Sequence, residues 1–208
     1  METARWWVEG WAVSRRLAAP VDVPWGMRID VGGPRETVRH VLLGADATTA
    51  RTLIASVAQP AVCIKGFLPA EVMDPWFPAA DWQPVDPCFL MAVDLRPSRT
   101  RVPDGYTVTT ATTGGVTTVR VLADDGSPAA SGQAGLTTAV CVPDRISTEP
   151  AHQRRGLGTV VMAALTDAAL AHGVSSGVLG ATVQGRALYE TLGWRALAPL
   201  TGYVSRGR

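Results

Sequence analysis

The chain has 208 residues, 47% of them hydrophobic and 18% charged, enough apolar side chain for one large domain or two small ones and too much for a disordered chain. Nineteen Lys and Arg against eighteen Asp and Glu leave a net charge of +1, which gives no electrostatic footprint for nucleic acid or an anionic membrane. Cys63, Cys88 and Cys141 lie apart from one another and from His40, His152 and His172, so neither a metal site nor a disulfide framework is expected. The N-terminus has no leader-like apolar run and no stretch of about 18 apolar residues occurs, which predicts a cytoplasmic chain without a membrane span.

The first half reads as strands over 27–31 and 39–43, then a helix over 48–58. Asp46 can cap that helix, and Leu53, Ile54 and Val57 share one of its faces. A buried strand over 61–66 follows. Pro69 suits the first turn of a helix reaching Phe77, and 89–93 reads as another strand. This βαβαβ alternation argues for a sheet with helices packed on it. Trp6, Trp7, Trp11, Trp25, Trp76 and Trp82 all fall in this half. At such irregular spacing they serve as core filler or line an acceptor pocket.

Residues 94–104 are polar, hold two prolines and lack periodicity. They mark a linker between an N-terminal region (1–93), taken as the acceptor-substrate side, and a C-terminal domain (105–208). That domain opens with a hairpin, 106–113 and 116–122 around Gly114-Gly115, then a turn at 124–128 and strands over 130–137 and 139–148. A helix over 159–172 places Val161, Ala164, Leu165, Ala168 and Ala169 on one face, with Gly173 as its stop. A strand (174–181), a short helix (184–192) closed by Gly193 and two strands (194–197, 202–205) complete the chain.

His152-Gln153-Arg154-Arg155-Gly156-Leu157-Gly158-Thr159 joins the strand ending at Thr148 to the long helix. A helix start leaves main-chain N–H groups unpartnered and carries partial positive charge. Glycine lets an anion approach without a Cβ in the way. The segment therefore reads as a phosphate loop. It is neither Gly-x4-Gly-Lys nor Gly-x-Gly-x-x-Gly, since Val161 stands at the third glycine position.

Gln-Arg-Arg-Gly-Leu-Gly fits the pattern Gln/Arg-x-x-Gly-x-Gly/Ala. Residues 187–194, Ala-Leu-Tyr-Glu-Thr-Leu-Gly-Trp, are similar to the signature Ala-x-x-Leu-Tyr-x-x-x-Gly-Phe, with Trp194 for Phe. By these two motifs in this order the chain resembles the GNAT superfamily of acetyl-CoA-dependent N-acetyltransferases. The resemblance implies an α/β fold with a mixed, mostly antiparallel central sheet flanked by helices. The family usually has two helices between its first two strands, where this chain has only Gly114-Gly115. The N-terminal half then either supplies those layers or is itself a diverged GNAT-like unit. The implied activity is direct transfer of acetyl from acetyl-CoA, without a metal, to a primary amine of a small-molecule or peptide acceptor. Transfer of a longer acyl group and a non-catalytic CoA-binding or regulatory module are the alternatives, and a homodimer is left open.

The resemblance assigns the coenzyme diphosphate to Gln153, Arg154, Arg155, Gly156, Leu157, Gly158 and Thr159, although the arginine pair reads equally as solvated surface. It assigns the thioester to main-chain groups of Ile146, Ser147 and Thr148. Thr182 stands where asparagine often orients the cofactor. Tyr189 matches the tyrosine that protonates the departing thiolate, a step suited to a phenol with pKa near 10. Asp144 is the carboxylate placed to take the amine's proton, with a water relay as the alternative and Glu149 reading as turn. His152 is expected to be structural. No cysteine or serine stands beside a plausible histidine base, so no acyl-enzyme is expected.

Overall fold

The computed structural model, which describes residues 2–44 and 46–207, begins with a helix the reading above omits, α1 (Glu2–Ser14). The first half continues with β1 (Val21–Val23), β2 (Gly26–Asp30), β3 (Val38–Leu42), α2 (Ala47–Ser56), β4 (Val62–Gly66), α3 (Ala70–Met73), β5 (Trp82–Pro84) and β6 (Cys88–Asp94). The second half is β7 (Tyr106–Thr113), β8 (Val116–Ala123), β9 (Pro128–Leu136), β10 (Cys141–Thr148), α4 (Leu157–Ala171), β11 (Ser176–Thr182), α5 (Val183–Thr191) and β12 (Arg195–Ser205). Two expectations change. The helix from Pro69 stops after one turn, because Pro75 has no N–H to extend the ladder, and Asp74–Trp76 closes as a 3-10 turn. The two closing strands are one, β12, with a register shift between Ala196 and Ala198 that absorbs the irregular stretch between them.

The strands form one mixed, mostly antiparallel sheet with β12 and β6 at its centre. Outward from that pair the order repeats. One flank runs β4, β3, β2, β1; the other runs β11, β10, β9, β8, with β7 at its edge. On each flank the first neighbour is antiparallel (β12 with β4, β6 with β11). The next pair is parallel (β4 with β3, β11 with β10) and is joined in sequence by a helix, α2 or α4. The N-terminal half is thus a reduced copy of the C-terminal plan. Each half lends its last strand to the other's flank.

α1 packs against both flanks of the sheet. Its buried residues Trp7, Val8 and Trp11 pack in one cluster with Met27, Ile29 and Val41 from one flank and with Val140, Val142 and Val178 from the other. Burial of such apolar faces is the main favourable term in joining the halves. α4 covers the opposite face, where Val161 and Leu165 pack on Val119, Val121 and Leu179. A third cluster joins Leu53 and Ile54 of α2 to Ile64 and Tyr203. α1 therefore supplies a helical layer that the turn at Gly114-Gly115 leaves out.

Glycines set how closely α1 sits. A Cβ on Gly135 would lie 2.0 Å from the Gly10 carbonyl oxygen, and one on Gly10 would lie 2.3 Å from a methyl of Val142. Gly135→Val should force the helix off the sheet and cost roughly 3 kcal/mol of unfolding free energy. A loss under about 0.5 kcal/mol in urea titration, the size of an ordinary surface change, would show that α1 does not pack there.

His40 on β3 gives the fold an acid-sensitive point. It is buried, and Trp25 Nε1 donates to its Nδ1 at 3.2 Å, so the ring is held neutral. Burial first, then the charge of Arg28, push its pKa down to about 4, against a weaker opposing pull from Asp30. The folded pKa lies below the unfolded one, so this contribution is present above pH 6.5 and is lost as pH falls through 4. At most about 3 kcal/mol is involved. The difference in urea midpoint between wild type and His40→Asn should change across that window; a constant difference would contradict it.

Candidate functional site

The site grows from a gap in the sheet. β10 and β11 run parallel and are in register at Cys141 and Gly177 alone, after which they diverge. The corresponding pair in the other half, β3 and β4, stays zipped from Val38 opposite Val62 to Leu42 opposite Gly66. Beyond Cys141, then, β10 offers main-chain groups on its β11 side with no strand opposite. Its other edge stays on β9, but the register shifts between Asp144 and Ser147, and Arg145 takes φ 54°. This bulge turns one residue out of the ladder beside the gap. Ile146 sends its side chain under α4, where Cδ1 and Val161 Cγ1 fill the space a Cβ on Gly132 would need. Ser147 Oγ lies 3.2 Å from Ser131 Oγ, and the Thr148 carbonyl accepts from Gln153 Nε2 at 3.3 Å.

The loop after β10 makes a 3-10 turn, Pro150–His152, then takes positive φ at Arg154 (62°) and at Gly156 (77°), the N-cap of α4. No side chain caps α4, and the first helical bond there runs from the Val160 N–H to the Gly156 carbonyl at 3.2 Å. The amides of Leu157, Gly158 and Thr159 are therefore left for an outside acceptor. Buried Leu157 anchors the turn, while Gln153, Arg154, Arg155 and Gly156 are exposed. The starts of α2 and α5 are closed by side chains. Asp46 accepts from the Thr49 N–H at 2.7 Å at the head of α2, and Thr182 Oγ1 accepts from the Gly185 N–H at 3.1 Å at the head of α5.

Tyr106 on β7 ties the loop down: its hydroxyl accepts from Arg155 at 2.8 Å and lies 3.0 Å from His152 Nδ1. Nothing in the local sequence announces this link, since the partners are 46 and 49 residues away. Tyr189, buried on α5, packs in one cluster with Leu157, Leu179 and Ala181 and against Trp194, ring centroids 6.1 Å apart. Its hydroxyl has no hydrogen-bond partner among the described residues. Burial first, then the charge of Asp144, push its pKa up to about 12.

Asp144 faces α1. Ser14 donates to its Oδ2 at 3.1 Å, Arg15 Nη2 to its Oδ1 at 3.0 Å, and Arg15 Nε also to its Oδ2. Both carboxylate oxygens are therefore engaged. Trp11 lies between two guanidinium groups, with Arg39 Cζ at 3.8 Å and Arg15 Cζ at 5.0 Å from its ring. The structure thus gathers the loop, the bulge, Thr182 and Tyr189 around the β10–β11 gap, while Asp144 is tied to α1. A groove of about 520 Å³ along the flank of α4 shares only Thr159 with this set and has Arg96 and Arg195 on its wall. Among the described residues no group of three or more His, Cys, Asp or Glu could hold a metal, and no helix is long and apolar enough to cross a membrane.

Residues 115–196 match the family model for an acetyltransferase (GNAT) domain. The structure is similar to a GCN5-related N-acetyltransferase from Kribbella flavida, with TM-score 0.70 and 15% identity over 99% of this chain and 96% of that one. It is also similar to a tandem GNAT protein from the clavulanic acid biosynthesis pathway (TM-score 0.55, 15% identity, 78% of this chain and 69% of that one). A GCN5-related N-acetyltransferase-like protein from Streptococcus suis gives TM-score 0.55 and 11% identity over 84% and 81% of the two chains. At these identities the likeness shows fold alone. No curated protein matches the sequence. The match to a GNAT acetyltransferase domain thus spans residues 115–196, within a GNAT-like fold that extends through nearly the whole chain.

Proposed function

We propose that the chain is an N-acetyltransferase that moves acetyl from acetyl-CoA directly to a primary amine. The observation that carries this is the uncapped start of α4 beside the place where β10 and β11 part. The amides of residues 157–159 and the helix dipole would hold the diphosphate, with Gln153, Arg154 and Arg155 at its rim. Main-chain groups of Ile146, Ser147 and Thr148, on the edge of β10 that faces the gap, would hold and polarise the thioester carbonyl. The amine attacks the carbonyl carbon, the C–N bond forms, the C–S bond breaks, and the amine's proton leaves to Asp144 or to water. Tyr189, with a pKa of about 12, stays protonated and donates its hydrogen bond to the developing thiolate. Thiol release from acetyl-CoA with a panel of amines tests this. Release no faster than hydrolysis for every amine would contradict it. A second reading, a CoA-binding module without turnover, draws support from Asp144, whose carboxylate is already bound by Arg15 and Ser14.

The same geometry sets the stoichiometry. In the N-terminal half β3 and β4 are zipped, and the Asp46 carboxylate stands where a phosphate would need a free amide. One coenzyme per chain is expected by calorimetry; two equal sites would overturn this account of the N-terminal half.

A further inference from the structure

We infer that the apolar cavity at the carboxyl ends of β3 and β4 holds the hydrocarbon body of the acceptor amine, so that the substrate is an alkyl- or arylalkylamine. This rests on the transferase reading above. The cavity is about 480 Å³, and its walls include Leu43, Phe67, Met73, Trp76, Leu90 and Leu197; none of the described lining residues is charged. Such a volume and lining suit the apolar part of a small molecule. It opens where β4 leaves β12 after Gly66 opposite Thr201, outside the carboxyl ends of two parallel strands, where α/β sheets tend to bind ligands.

The cavity is one strand from the candidate acetyl site. Leu90 lines it and lies directly opposite Gly180 of β11, the strand that borders the gap, a separation of about 5 Å. Trp7 spans the same distance on the α1 face. Its ring meets Phe67 edge-on at 6.1 Å, and it stands 3.4 Å from where a Cβ on Gly180 would be. The acyl donor does not account for the cavity as well. The diphosphate loop begins α4, which packs on the other face of the sheet from α1. The cavity has its own exposed rim at Gly44, Leu68 and Leu197, so it fills independently of the coenzyme.

The test is kcat/KM for straight-chain 1-aminoalkanes from ethylamine to octylamine with acetyl-CoA, read as thiol release, in wild type, Ala4→Phe and Leu197→Trp. Ala4 lines the inner end of the cavity, and exposed Leu197 lets the second variant close the mouth without touching the core. In wild type kcat/KM should rise about 3- to 4-fold per methylene until the cavity is full, the equivalent of about 0.8 kcal/mol per buried group. Both variants should abolish that rise, leaving ethylamine and coenzyme affinity unchanged. A flat series in wild type overturns the inference, as does a variant that alters the preference between acetyl- and hexanoyl-CoA with the amine series intact. If no amine turns over, binding of octylamine by tryptophan fluorescence decides. Saturable binding lost in both variants upholds the cavity and sinks the transferase reading; no binding sinks the cavity assignment.

Discussion

Gly156→Val should weaken coenzyme A binding about 100-fold or more, the loss of roughly 3 kcal/mol expected when one or two charge-assisted hydrogen bonds to phosphate fail. Gly156 has φ 77°, and no protein atom lies within 4 Å of an added Cβ, so the new methyls would project into the space in front of the free amides. A β-branched residue at this φ also strains the backbone, by about 1–3 kcal/mol. Gly173 at the other end of α4 separates the two effects. Its φ is 78°, and its Cβ position is equally open. Gly173→Val should lower the melting temperature about as much as Gly156→Val yet leave coenzyme affinity unchanged. Equal affinity in both variants would mean that the turn before α4 does not hold the phosphates.

Tyr189→Phe should lower kcat by about 100-fold, the usual scale for losing a positioned proton donor, with coenzyme affinity changed less than about 2-fold. Stability should change little, because the lost hydroxyl makes no hydrogen bond to the described residues and is not sealed from water. A fall in rate therefore cannot come from unfolding. The pH profile adds a second reading. The phenol, pushed up to about 12, keeps its proton throughout the neutral and mildly basic range, so wild-type kcat should show no limb from Tyr189 near pH 10. An unchanged kcat in the variant would return Tyr189 to a packing role beside Trp194.

The loop and its flanking elements are legible in the sequence because their signals are local. Gly156 and Gly158 mark the turn, Gly173 marks the helix end, and the small residues of 176–182 mark a buried strand. α1 has a local signal too. Ala4, Trp7, Val8, Trp11 and Ala12 recur at the spacing of one helix face, and all are buried. Taken singly, the same tryptophans look scattered. Other features leave no local trace. Arg15 and Asp144 are 129 residues apart, and their pairing exists only because Gly10 and Gly135 let α1 settle on β9. The exchange of β6 and β12 between flanks is a matter of which strand edges meet, and side-chain alternation along either strand is blind to it. The bulge at Arg145 likewise appears only against the register of β9.

The central claim is that the main-chain amides at the start of α4 grip the coenzyme diphosphate. The most direct measurement is an amide proton–nitrogen NMR titration of the labelled chain with coenzyme A. The account predicts that the signals of Gly156, Leu157, Gly158 and Thr159 move furthest and saturate together at one equivalent, while Thr49 at the head of α2 stays in place. Saturable binding with those four signals unmoved would contradict it.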